Sequence, residues 1–402
     1  MPASSETEGS SLSRRSAERE GGEPAAPKPE GRRRARRGTS AMFLICGTAT
    51  SSWAPMVPFA KERLGLDEAA LGFILLALGG GSTIAMPLAG MAIHYWGSRR
   101  VVTCMALGMC AALPFLAVAS SPFLLVLALF AFGAALGAMD VAMNAQAIAV
   151  QHAMARPIMS SFHALFSVGG IVGAALVSLL LGSGIGLAAG VTMIAIGMAV
   201  LAVFEQRHLM KDMGSAEGTT FTIVPKAAVL LLGGLCFLSF LGEGAVLDWS
   251  AVFLREQRHV DVALAGMGYA AFSVAMTACR FTGDAVTHRF GSRQVLRVGG
   301  ALACAGFLAV ALLPSTLAAL AGFVLVGIGA SNLVPVLFSG AGRVPGVPPG
   351  IALATVTTIA YIGLLLGPAL IGFVADATSL PVAFLLVAAM FGVVAMAAAR
   401  VA

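Results

Sequence analysis

Residues 90–100 read G-M-A-I-H-Y-W-G-S-R-R, a basic, glycine-containing turn between two long apolar runs. Residues 284–293 read D-A-V-T-H-R-F-G-S-R. His94, Gly97 and Arg99 thus recur 194 positions later as His288, Gly291 and Arg293. The same offset links Asp67 with Asp261, Gly72 with Gly266, Gly133 with Gly327, Gly169 with Gly363, and Gly173 with Gly367. One register shared by loops and apolar segments points to an internal duplication. Repeated halves built from membrane-length runs are the sequence mark of a transporter scaffold.

Composition agrees. The chain is 58% hydrophobic and only 11% charged, with a mean hydropathy of +0.91. A soluble domain carries about 25% charged residues, so this chain needs a lipid-facing surface. The six cysteines lie inside apolar runs with no CxxC spacing and read as small hydrophobes. No cofactor or metal is expected. There is no P-loop, which argues against an ATP-driven pump, and no catalytic Ser/His/Asp set, so an enzyme is not expected. No nucleic-acid partner is expected.

Residues 1–40 are rich in Ser, Glu, Pro, Gly and Arg, with G-R-R-R-A-R-R at 31–37. They read as a disordered basic tail. It is a topogenic charge block, a binder of anionic headgroups, or an upstream extension if the natural start is Met42. From 41 onward the chain breaks into twelve apolar segments, most long enough to cross a bilayer as an α-helix. They fall near 41–60, 69–93, 101–119, 123–149, 158–181 and 186–204. The second set falls near 227–252, 262–287, 295–314, 316–340, 350–373 and 381–399. Continuous apolar runs without alternation argue against a β-barrel. The expected architecture is all-α and integral to the membrane: a six-helix bundle over 41–204, a linker over 205–226, and a second bundle over 227–402.

With the N-terminus inside, the predicted cytoplasmic segments hold twenty Lys and Arg. The outer loops hold four: Lys61, Arg63, Arg255 and Arg258. The positive-inside rule therefore puts both termini in the cytoplasm.

This pattern resembles the major facilitator superfamily. Its signature is Gly, three residues, Asp, Arg or Lys, any residue, Gly, any residue and two basic residues. Gly90, Gly97, Arg99 and Arg100 match it, but His94 replaces the acid. In the second half Arg289, Gly291 and Arg293 match, with His288 in the acid position. The resemblance implies that these loops close the inner gate, with a His that weakens the gate's ion pair or makes it respond to pH. The runs at 52–61, 139–147, 160–170 and 242–252 resemble a bacterial branch typified by the rhizopine-locus membrane protein, near the fucose permeases. That branch implies transport of a small polar organic solute across a bacterial inner membrane. Superfamily members usually work as monomers, so a monomer is expected.

Ionisable groups in membrane helices are costly and usually face a cavity or a partner. Asp140 and Asn144 share a helical face, and Gln146 follows. His163 lies in segment five, Glu243 and Asp248 in segment seven, Arg280 and Asp284 in segment eight, and Asn332 in segment ten. In the superfamily, segments one, four, seven and ten line the path, while five and eight meet across the halves. That implies Asp140, Glu243, Asp248 and Asn332 near a solute, and His163 near Arg280 or Asp284. Arg280 and Asp284, four apart, suit an intrahelical ion pair. Asp140 and Glu243 have no same-helix basic partner at i+3 or i+4, which suits groups that bind and release a proton; His163 suits a relay or a helix-packing hydrogen bond. Trp53 and Trp249 read as interfacial anchors or stacking platforms. The paired G-x-x-x-G runs at 169–173 and 363–367 would let the halves rock against each other.

The expectation is a proton-linked secondary transporter for a sugar, polyol or inositol-like solute. Efflux of lipophilic cations by proton antiport is the rival within transporters. A membrane sensor or scaffold that binds without moving its ligand is the rival outside them.

Overall fold

A computed structural model describes residues 29–66, 68–211, 226–260 and 267–400. Residues 1–28 of the expected tail, 212–225 of the expected linker, Asp67, Asp261 and Gly266 lie outside the described residues. The described chain is helical throughout, with no strand. α1 spans Pro29–Ser52, and a 3₁₀ turn (Ala54–Met56) and a short helix (Val57–Leu64) follow it. The first half continues with α2 (Glu68–Trp96), α3 (Ser98–Val118), α4 (Pro122–Met154), α5 (Met159–Gly182) and α6 (Leu187–Glu205). The second half starts with α7 (Ala227–Arg258). A 46-residue helical run, Met267–Leu312, then breaks at Gly291. The break divides it into α8 (267–290) and α9 (292–312). α10 runs from Thr316 to Ala341 through an irregular step at Asn332; α11 (Pro349–Ala377) and α12 (Leu380–Ala397) complete the set. The described residues thus form twelve crossings in two bundles of six.

The duplication is visible in backbone geometry. Gly97 (φ 80°, ψ 149°) separates α2 from α3, and Gly291 (φ 79°, ψ 158°) separates α8 from α9. That conformation is open only to glycine without strain. Within the halves, α2 packs on α4 and α1 on α5, as α8 packs on α10 and α7 on α11. A Cβ on Gly133 of α4 would sit 2.0 Å from the Leu78 carbonyl oxygen of α2; one on Gly327 of α10 would sit 2.4 Å from that of Phe272 in α8. Two arginines at helix ends play matching parts, although they stand 195 rather than 194 positions apart. Arg63 donates to the carbonyls of Leu116, Ala117 and Ala119 at the end of α3, and Arg258 to those of Val310 and Leu313 at the end of α9. Each supplies the donors that the last carbonyls of a helix lack.

Two expectations need correction. Residues 29–40 are not a structureless tail but the first turns of α1, built into the first bundle. Arg37 donates to Glu205 at the end of α6 from Nε (3.0 Å) and Nη2 (2.6 Å), and His208 joins the same carboxylate at 2.9 Å. Glu205 is buried, and a buried carboxylate needs such partners. The paired G-x-x-x-G runs also do not lie between the halves. Gly169 and Gly173 pack against Leu44 and Thr48 of α1, and Gly363 against Phe237 of α7, so they tighten each bundle internally. The halves meet instead through α2 with α11 and α5 with α8. There Gly90 brings α2 against α11, where a Cβ would lie 2.6 Å from the Ala354 side chain.

Candidate functional site

α4 carries Asp140 and Asn144 on its inward face, both buried. The Asn144 amide donates to the Asp140 carbonyl at 2.9 Å and to its carboxylate at 3.4 Å, leaving Asn144 Oδ1 without a protein partner. Asp140 has no ion pair among the described residues. Cys46 of α1 and Tyr361 of α11 lie within electrostatic reach of it. Tyr361 meets Phe240 of α7 edge to face, with ring centroids 5.6 Å apart. One turn along α7 stands Glu243, whose Oε1 is buried without a protein partner. Asp140 of the first half is thus within electrostatic reach of one ring of this pair, and Glu243 of the second half stands one turn from the other.

Arg280 of α8 is buried within electrostatic reach of Glu243, but no ion pair forms among the described residues. Its Nη1 donates to the Ser167 hydroxyl of α5 at 2.9 Å and its Nε to the Ser331 carbonyl at 3.3 Å. The expected Arg280–Asp284 pair does not form. The guanidinium is held from α5 and α10, and Asp284 is drawn to free amides instead. His163 of α5 lies between Phe43 of α1 (5.4 Å) and Phe338 of α10 (5.9 Å), near Arg280 and with Nε2 unpartnered. Buried polar atoms are nearly always paired. Here Asn144, His163, Glu243, Trp249 and Asn332 each keep one that no protein group meets.

Toward the end that carries the Gly97 and Gly291 turns, the halves close. Asp284 accepts the backbone N–H of Ser160 (2.8 Å) and of Ser161 (3.1 Å) at the start of α5. Ser339 of α10 donates to Gln151 of α4 at 3.5 Å. A Cβ on Gly342 would lie 2.4 Å from Ile148 of α4. Asn332 lies against Gly283, where a Cβ would meet its Oδ1, next to Ser160. The signature residues frame this end. His94 packs edge to face with Tyr95, Arg289 sits over the Phe290 ring, and Arg99, Arg100, His288 and Arg293 mark the turns.

Four candidates sit elsewhere. Gln146 is committed away from the path: its amide donates to Ser98 (2.8 Å) and the Met210 carbonyl (2.9 Å), and its oxygen accepts from Met210 N–H (3.0 Å). Asp248 is exposed near the far end of α7. Trp53 is buried where α1 ends. Trp249 packs toward Gly372 of α11 inside the second bundle. The sequence reading missed Tyr361, Phe240 and Ser167. The repeat offset was the available signal, since Tyr361 is the counterpart of Ser167 and Phe240 of Cys46.

The sequence profile of the Major Facilitator Superfamily matches residues 39–348 and 232–401. An uncharacterised transporter of that type from Yersinia pestis is 44% identical over 363 residues, covering 90% of this chain and 94% of its own. Membrane protein MosC of Rhizobium meliloti is 34% identical, covering 88% and 87%. Among solved structures, the Escherichia coli fucose:proton symporter FucP superposes with a TM-score of 0.75 at 18% identity, over 91% of this chain and 98% of its own. The proton:xylose symporter XylE gives 0.73 at 12% identity, over 93% and 96%. Two six-helix bundles related by an internal repeat, closed at one end over a polar centre, are thus matched by profile and by relatives over nearly the whole chain, which belongs to the major facilitator superfamily and is a multi-pass membrane transporter.

Proposed function

We propose that this chain couples proton movement to the transport of a small hydroxyl-rich solute, a sugar or polyol, by alternating access. The observation that carries the reading is the pair Asp140 and Glu243. They are one carboxyl from each half, neither held in an ion pair among the described residues, near the Phe240–Tyr361 pair. An ionised carboxylate in an apolar bundle is costly without a partner. Each therefore suits a group that takes a proton in one conformer and loses it when the bundles rock. Aromatic faces and the unpaired amide oxygen of Asn144 suit a sugar ring, whose hydroxyls donate while its C–H faces stack. The symporters FucP and XylE, which share the fold, move sugars with protons. The excess of Lys and Arg at the closed end supports a cytoplasmic location for that end and for both termini, in a bacterial inner membrane. The conformer described would then face outward.

The test is counterflow and pH-driven uptake in proteoliposomes, screened over sugars and polyols. Asp140→Asn with Glu243→Gln should abolish pH-driven accumulation and spare exchange of bound solute. Accumulation that survives in the double variant overturns proton coupling through these groups.

A further inference from the structure

A cavity lies at the junction of the two halves, away from Asp140 and Glu243. It has a volume of about 400 Å³ and opens at the closed end, between the two halves. The first half contributes His152 at the end of α4 and Arg156 in the turn before α5. The second contributes His288 at the end of α8 and Arg343 just past α10. Among the described residues, none of these four makes a hydrogen bond through its side chain or an ion pair. Asp284 is the acid in the lining, and both its oxygens are already held by the amides of Ser160 and Ser161. The Thr287 hydroxyl, on the same wall, is buried without a protein partner.

The arrangement is unfavourable as it stands. Two guanidiniums, flanked by two imidazoles, line it from opposite bundles, so closing the halves places the positive charges of Arg156 and Arg343 at one cavity. His152 already senses Arg343 across the junction. A multiply charged oxyanion would reverse the sign of that interaction. Guanidiniums present planar forks that match phosphate oxygens. An anion held by Arg156 on one side and Arg343 on the other bridges the bundles only while this end is shut. By linkage it would then favour the shut conformer in proportion to its difference in affinity for the two states.

We infer that this cavity is a phosphate-binding site that staples the two bundles at their basic end and holds the transporter in the described conformer. The ligand class is a compact phosphate bearing two or more charges, or the phosphate of an anionic lipid headgroup. The inference goes beyond the proposed transport reaction and does not depend on which solute is moved.

The probe is pyrophosphate, added to the purified full chain in nanodiscs of phosphatidylcholine, with chloride at matched ionic strength as control. Pyrophosphate should raise the thermal midpoint by several degrees more than chloride. Arg156→Gln should lose most of that rise, and Arg343→Glu all of it, because its carboxylate occupies the cavity and pairs with Arg156. Arg207→Gln, on the same end but outside the cavity, should keep the rise. The same series in nanodiscs containing phosphatidylglycerol separates the sources. If the headgroup is the ligand, wild type starts more stable there and pyrophosphate adds nothing; if a soluble phosphate is the ligand, pyrophosphate protects equally in both discs. An equal rise in wild type, Arg156→Gln and Arg343→Glu overturns the inference. So does a wild type that neither pyrophosphate nor phosphatidylglycerol stabilises. A variant that fails to give a monodisperse peak is replaced by His288→Gln, which should weaken the response without touching either arginine.

Discussion

Asp284 in the second half caps a helix of the first: its carboxylate accepts the N–H of Ser160 at 2.8 Å, in the opening turn of α5. A helix start leaves its first amides unpaired and carries the positive end of the dipole, so a carboxylate there is doubly favoured. The residue 194 positions earlier is Gly90, which offers α11 close contact instead of a cap. One joint between the halves is therefore polar and the other steric. Removing the cap in Asp284→Ala should weaken the closed end by about 1–2 kcal/mol, or roughly 5- to 30-fold in population. Peptide-resolved maleimide labelling of Ser339→Cys, which is buried at that end, reads this directly. Labelling should accelerate in the variant. An unchanged rate would mean that the cap does not hold the end shut.

Arg280 ties α8 to Ser167 of α5 and to Ser331 of α10 while lying in reach of Glu243. Lysine is a point donor and cannot meet both oxygens in the planar geometry that the guanidinium does. Arg280→Lys should thus cost about 1–3 kcal/mol through a buried acceptor left unpaired. A double-mutant cycle of Arg280→Gln with Glu243→Gln should be non-additive by about 0.5–3 kcal/mol, because the two groups lie within electrostatic reach of each other. Thermal or denaturant unfolding in detergent supplies the four stabilities. Strict additivity would sever the link between the two groups.

Glu243 itself should separate stability from activity. Its Oε1 faces no protein donor, so the neutral isostere in Glu243→Gln removes a charge-burial cost without opening a cavity. The variant should match or exceed wild type in thermal midpoint while losing pH-driven uptake. A variant that loses both would identify Glu243 as a structural group.

The sequence displayed the repeat, the twelve crossings and the identity of the buried carboxyls, because hydropathy and spacing are local properties. It did not display which partner each polar group would choose. Arg280 and Asp284 are four apart on one helix, yet each bonds across to another helix, since the start of α5 offers Asp284 two free amides and α5 and α10 offer Arg280 two oxygens. Gln146 read as a path-lining amide because it follows Asp140. Six residues rotate the helix by about 600°, which is 240° past a full turn, and its amide meets Ser98 and Met210 instead. Tyr361 went unnoticed because an aromatic in an apolar run carries no charge signal. Only the repeat register connects it with Ser167.

The glycines make the sharpest test of the repeat, because paired positions should fail together. Gly133 and Gly327 lie where α4 crosses α2 and α10 crosses α8, and a methyl group there would press on a backbone carbonyl in each case. A carbonyl cannot rotate away as a side-chain tip can, so the helices must separate and lose packing that membrane helices depend on. Gly133→Ala and Gly327→Ala should each lower the thermal midpoint or prevent a monodisperse preparation. Gly170→Ala should be silent, since nothing lies within 4 Å of its added methyl. Size-exclusion profiles and unfolding curves of the three variants decide it. Equal tolerance at all three positions would mean the helices are not in the close contact described. Damage at only one of the pair would mean that the two bundles, despite their shared register, do not rest on the same crossing.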